Sequence, residues 1–352
     1  MIGDDDLRAG VAAGIVTEAQ ASRLLTLSQS RAGTRAALTG DDEPFELFRG
    51  FSEIFISVGL VILLSGIMSL VALAGHVLAI SLAGMVLSAL LALYFTRKRR
   101  MTLPSIILSI AFTQATAAAV LWIVIGNANT VPGTGTVFLI GGLIVAALAL
   151  WYRAFKIPFT MFLIGLTVLV VIMLSISRAA PIALWNNPAN LFDLGGGSLL
   201  ARGTLAFGIM AFIAGMWFDM RDPHRLGRYS ASGFWLHLLA APALVNTVAL
   251  TFLNMGNGQG YILLAVALAL ITLLALIIDR RSFLTAGIAY LGILLGLVLV
   301  PDGGDPIRWA WLLILLGGFV TLTGAYWTAW RSTLLRVLPA FPGKSRLPPY
   351  GT

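Results

Sequence analysis

The chain has 352 residues, 59% of them hydrophobic and 11% charged, with a formal net charge of +8 and no cysteine. Soluble chains carry about 25% charged residues, so this composition excludes a soluble globular protein with a water-facing surface. The missing thiols exclude disulfides, thiolate metal sites, cysteine nucleophiles and cysteine-linked lipid anchors; the basic residues, gathered at the ends of apolar runs, read as an orientation signal rather than a nucleic-acid footprint.

The chain starts MIGDDDLRAG. This start is acidic and amphipathic, unlike the basic and then apolar start of a cleaved secretory signal. Leu7 and Val11 share one face of a short helix that Gly14 ends. Thr17-Glu18-Ala19-Gln20 is a capping box that opens a second helix, with Ala21, Leu24, Leu25 and Ser28 on one narrow face. Together they predict a small cytoplasmic helical hairpin, closed by a polar GDDEP linker, over residues 1–44. Two such helices bury too little to stand alone. The hairpin is therefore expected to meet the bundle, a second copy or a protein partner. Phe45, Phe48, Phe51 and Phe55 recur at helical spacing opposite Glu46, Arg49 and Glu53. This predicts a juxtamembrane amphipathic helix over 45–53. It reads as an interfacial anchor or, through Phe45, Phe48 and Phe51, as a partner-binding face.

Apolar runs of about 20 residues span a bilayer. They predict spans at 54–74, 77–95, 103–125, 136–152, 158–177, 203–218, 232–253, 260–278, 283–300 and 309–330, with a tail over 331–352. The fourth and sixth are short, at 17 and 16 residues. The predicted fold class is thus all-α: a polytopic membrane helical bundle of about ten transmembrane helices over 54–330. With the N-terminus inside, 20 of the 23 Lys and Arg fall in inside segments, leaving only Arg178, Arg202 and Arg308 outside. Cytoplasmic loops are enriched in Lys and Arg, so both termini are expected in the cytoplasm and the chain in the inner membrane. The outside loop 178–202, with Trp185 and Phe192, predicts a short interfacial helix or a re-entrant turn.

Ionisable groups inside spans mark ion paths and substrate sites. None of the 15 acidic residues lies deep in a predicted span, and no Lys or Arg does. That argues against a pump holding H⁺ or Na⁺ on an embedded carboxylate. The remaining candidates for intramembrane ligand contact are Gln114, near the middle of the third span, and His237, Pro242 and Asn246 in the seventh. For Gln114 the plainer reading is an interhelical hydrogen bond. For His237 it is a satisfied or interfacial histidine, and for Pro242 a kink accommodated by its neighbours. His76, His224 and His237 sit in different segments, with no acidic residue at ligand spacing, so neither a metal site nor a cofactor is expected. Ser232-Gly233 with His237 lacks the two-helix arrangement of intramembrane serine proteases, and no other catalytic motif is present. Gly292-x-x-x-Gly296 reads as a packing seam.

The stretches DLRAGVAAGIVTEAQASRLLTL and EPFELFRGFSEIFISVGLVILLSG together resemble the bacterial membrane-protein family named domain of unknown function 2157. The resemblance covers about the first 75 residues. It implies a short cytoplasmic helical module ahead of a many-span bundle in a bacterial inner membrane, and it assigns no functional residue. FDMRDPHRLGRYSASGFWLHLLAAPALVN is similar to stretches of proteobacterial inner-membrane proteins. The sequence reads first as a membrane anchor or scaffold with a partner-binding N-terminal module, and not as an enzyme. A small-solute transporter or exporter with two inverted five-span halves is the alternative, though no repeat relates 54–177 to 203–330. An enzyme acting on a lipid-linked substrate ranks third. Opposed halves around a polar cavity holding Gln114 or Asn246 would favour transport, and a filled bundle would favour anchoring.

Overall fold

The computed structural model describes residues 10–17, 20, 24, 51–73, 75–126, 133–179, 191–222, 225, 228–299 and 306–348. The chain divides into two units, Met1–Phe45 and Glu46–Thr352. In the first, Gly14 turns the chain at φ +70°, and Ile15 N–H bonds back to Gly10 C=O at 2.9 Å. The capping box is formed: Thr17 N–H donates to Gln20 Oε1 at 3.0 Å, and Gln20 N–H to Thr17 Oγ1 at 3.3 Å. The rest of the expected hairpin and linker, together with Phe45 and Phe48, lies outside the described residues.

The second unit is an all-α bundle, with no strand among the described residues. Its helices are α1 (Phe51–Ala72), α2 (Val77–Ala92, continued by a π-helical turn, Leu93–Lys98), α3 (Thr102–Ile125), α4 (Thr134–Phe155), α5 (Phe159–Ala179), α6 (Leu199–Asp219), α7 (Arg228–Leu253), α8 (Gly258–Ile278), α9 (Arg281–Leu299), α10 (Pro306–Ala325) and α11 (Trp327–Val337). Among the described residues nine helices, α1 to α8 and α10, are long and apolar enough to cross a membrane. α9 occupies the place of the ninth predicted span, but its described apolar stretch, Arg281–Gly296, is shorter. Large apolar side chains such as Ile62, Leu70, Leu150, Ile213 and Leu313 point outward. Water would penalise such a surface and hydrocarbon does not.

Several boundaries differ from expectation. The fourth and sixth spans are full-length helices of 22 and 21 residues. Each continues past its apolar run into polar ends, and α6 takes in both Arg202 and Asp219. Likewise, α6 starts at Leu199, where Ser198 Oγ accepts from Ala201 N–H at 3.3 Å. The described part of the preceding loop is a turn, in which Ser198 Oγ–H donates to Leu191 C=O at 2.6 Å and Leu194 N–H reaches Thr251 Oγ1 on α7 at 3.0 Å. The helix expected to run to 330 stops at Ala325, and α11 follows with its own buried face of Trp327, Arg331 and Leu335.

Packing divides the bundle. Leu108, Leu148, Trp151 and Leu163 form one core among α3, α4 and α5, where Trp151 stacks on Phe112 at 4.2 Å and donates to Ser109 Oγ at 3.0 Å. A second core joins Phe207 and Ala211 of α6, Ala240 of α7, Ala275 of α8, Phe283 of α9 and Trp327 of α11. α5 packs on both α6 and α7 and so bridges the two. The five-helix halves are not equivalent. α1 packs on α3, but α6 does not pack comparably on α8; α7 packs on α9, whereas α2 meets α4 only through its π-helical end, where Arg97 donates to Ala154 C=O. Gly292 and Gly296 face Leu316 and Leu312 of α10, as a packing seam requires.

Glu53 of α1 is buried, and its carboxylate accepts the N–H groups of Thr102 (3.2 Å) and Leu103 (3.1 Å). It thereby caps the positive N-terminal end of α3. The turns at the two ends of the bundle also differ in chemistry. At the basic end the left-handed positions are Arg100, Lys156, Arg225 and Asp279 (φ 52° to 59°), with one glycine, Gly343, after α11; at the other end they are all glycines, Gly75, Gly126, Gly197 and Gly256.

The chain lacks cysteine, so introduced thiols report topology cleanly. Cysteines replacing Arg100, Lys156 and Arg221 are expected to react with an impermeant maleimide from one face of a sealed vesicle, and those replacing Gly133, Gly195 and Gly258 from the other. Mixed labelling within either set would disprove the helix order.

Candidate functional site

Where α6, α7, α8, α9 and α11 meet at the basic end, the bundle encloses a network of charged side chains. The α8–α9 turn builds it. Asp279 ends α8 in a left-handed conformation (φ +56°), and Arg280 follows at once. The two side chains serve different partners.

Arg280 is 1% exposed. Its Nε donates to Asp219 Oδ2 of α6 at 3.0 Å, and its Nη2 donates to Asp219 Oδ1, a two-point grip on the carboxylate. The same Nη2 donates to Ser230 C=O of α7 at 2.9 Å. Asp219 Oδ2 also lies 3.0 Å from Nε2 of His237, whose ring is wholly buried between Phe212 and Phe283. Asp279 receives Trp327 Nε1–H of α11 at 2.7 Å and pairs with Arg225 at 3.1 Å. Arg331 of α11 stands 3.7 Å from Asp279 and donates to Pro348 C=O at 2.7 Å, drawing the tail onto the same end.

Small residues make this geometry feasible. A Cβ on Gly233 would lie 2.2 Å from Asp219 Oδ1, and one on Gly215 would lie 2.8 Å from His237 Cε1. Both glycines are therefore required by close approach. The two-point guanidinium–carboxylate pair is a strong, directional interaction. Burying it is tolerable because each charge has several partners. No group of three or more metal-ligating side chains occurs among the described residues.

The four intramembrane candidates are not brought together. Gln114 is exposed on α3, opposite the buried Ser109 and Thr116, and lines neither of the two clefts described for the bundle. His237 belongs to the network; its acidic partner lies 18 residues away on a neighbouring helix, which ligand spacing along one helix does not reveal. Pro242 and Asn246 line a separate cleft of about 310 Å³ with Met173, Phe192, Thr204 and Tyr290. There Tyr290 Oη–H donates to Asn246 Oδ1. Phe51 is exposed and stacks edge-on against Phe55 at 5.2 Å. Sequence reasoning missed Arg280, Asp279, Trp327 and Arg331. The available signal was charge beside a span end, without any clue to pairing across 61 residues.

No family model, no curated protein and no solved structure matches this chain.

Gly233→Ala and Gly215→Ala should each lower thermal stability by about 1–3 kcal/mol, because the crowded partners are held in place. Gly142→Ala, where a Cβ meets nothing within 4 Å, should be neutral. Unfolding scans in detergent check this, and equal melting of all three variants would contradict the proposed crowding.

Proposed function

We propose that this chain is a multi-pass anchor or scaffold of a bacterial inner membrane, with both termini in the cytoplasm and residues 1–44 acting as a partner-binding module. The observation that carries the reading is the charge network. Its aspartates are held by arginines, and its histidine is sealed from solvent. A proton or substrate pathway needs a group that can exchange partners and be reached. This network instead fastens α6, α7 and α11 to the α8–α9 turn and draws in the tail at one end. The concentration of Lys and Arg at that end supports its placement in the cytoplasm. The likeness of the first 75 residues to the domain of unknown function 2157 family supports the bacterial inner membrane. The separate first unit supports a module with its own task.

A second reading, a small-solute carrier, rests on the cleft that holds Asn246, Thr204 and Tyr290. The dissimilar packing of the two halves weighs against an inverted-repeat carrier. Cross-linking in native membranes separates the two readings. A scaffold should lose its cross-linked partner when residues 1–44 are deleted and keep it in Asn246→Leu. A solute flux abolished by Asn246→Leu and untouched by the deletion would establish the carrier instead.

A further inference from the structure

α9 is flanked by α8 and α10, and these two do not pack substantially on each other. The gap leaves a groove of about 560 Å³, floored by α9 and walled by Leu268 and Thr272 of α8 and by Leu315 and Phe319 of α10. Its chemistry is almost entirely apolar. The Thr272 hydroxyl is already committed to Leu268 C=O at 2.8 Å. The floor runs from Phe283 to Leu295. Twelve residues of helix rise about 18 Å, close to the roughly 15 Å of hydrocarbon in a single leaflet. The groove therefore has the length of one acyl chain and not of a full span.

Its polarity along the membrane normal is fixed as well. Leu284, Ile288, Leu291 and Leu295 line it, and Arg281 sits three residues before Leu284 on the same helical stripe. Arg281 opens α9 directly after Arg280 and lies over the Trp327 ring at 5.5 Å, the ring whose N–H serves Asp279, the partner of Arg225 and Arg331. Around Asp219, Asp222 and Asp279 stand Arg225, Arg280, Arg281 and Arg331, so arginines outnumber aspartates here. A helix N-terminus adds partial positive charge. One end of the groove is thus cationic and the rest is apolar.

We propose that this groove holds an acyl chain of an anionic phospholipid from the leaflet at the basic end, with the lipid phosphate at Arg281. A lipid fits better than a second copy of the chain, because a partner helix would continue through both leaflets. Gly287 keeps the floor low. A Cβ there would touch only Leu268, at an ordinary 3.6 Å, so a larger side chain at 287 fills the groove without an immediate backbone clash.

Native mass spectrometry of the full chain, delipidated and then titrated with phosphatidylglycerol or phosphatidylethanolamine, tests the proposal. Wild type should retain one phosphatidylglycerol in preference to phosphatidylethanolamine. Arg281→Gln should lower that preference about fivefold, the usual effect of one basic residue near a membrane surface. Gly287→Leu should lose retention of both lipids. Because Gly287→Leu could misfold, phosphatidylglycerol carrying a photoreactive acyl chain provides a second measurement on wild type. Its cross-links should concentrate between 284 and 295 and be competed by unlabelled phosphatidylglycerol more than by phosphatidylethanolamine. Equal retention of the two lipids by wild type, full retention by a folded Gly287→Leu, cross-links spread evenly over α1 and α9, or a chain dimer that Gly287→Leu dissolves would each overturn the proposal.

Discussion

A guanidinium that is almost fully buried at the edge of a hydrocarbon layer must find its countercharge within the protein. Arg280 finds it in Asp219, and much of the basic end follows from that one pair. The carboxylate must come from α6, so α6 extends to residue 219 and stays full length. The backbone of α7 must pass close by, so position 233 is glycine. His237 must share the same carboxylate, so position 215 is glycine as well. Asp279, the neighbour of Arg280 in sequence, then collects α11 and the Arg225 segment. One two-residue turn therefore connects helices far apart in the chain.

Hydrocarbon as the solvent explains what was legible in the sequence. Apolar runs placed α1 to α10 in order, because a lipid-facing helix must be apolar nearly all round. The same property hid the ends. α6 and α11 begin or finish in polar residues whose partners lie on other elements, and hydropathy scores those residues as loop. The capping box at Thr17 and Gln20 was readable because both partners are local. The Asp219–His237 and Asp219–Arg280 contacts were not, because their sequence separations carry no periodic signal. Gln114 shows the reverse error. Its depth along α3 was clear, but the side of the helix it occupies depends on which face packs, and that face carries Ser109 and Thr116.

The turns add a physical reason for the charge asymmetry. A left-handed residue other than glycine costs roughly 1–2 kcal/mol. The end with glycine turns avoids this cost, while the other end places Arg100, Lys156, Arg225 and Asp279 in that conformation. At Arg225 and Asp279 the charge is part of the network, so the ion pairs offset the backbone strain. Arg225 thus contributes to folding, apart from the orienting and lipid-binding roles proposed for the basic end.

The most direct measurement of the central claim is a double-mutant cycle on Asp219 and Arg280, read by thermal unfolding of the full chain in lipid nanodiscs. If the pair fastens the basic end, Arg280→Met alone should cost about 3–5 kcal/mol, because it leaves a buried carboxylate uncompensated. Adding Asp219→Asn should then recover much of that loss. Simple addition of the two single-variant losses would contradict the account.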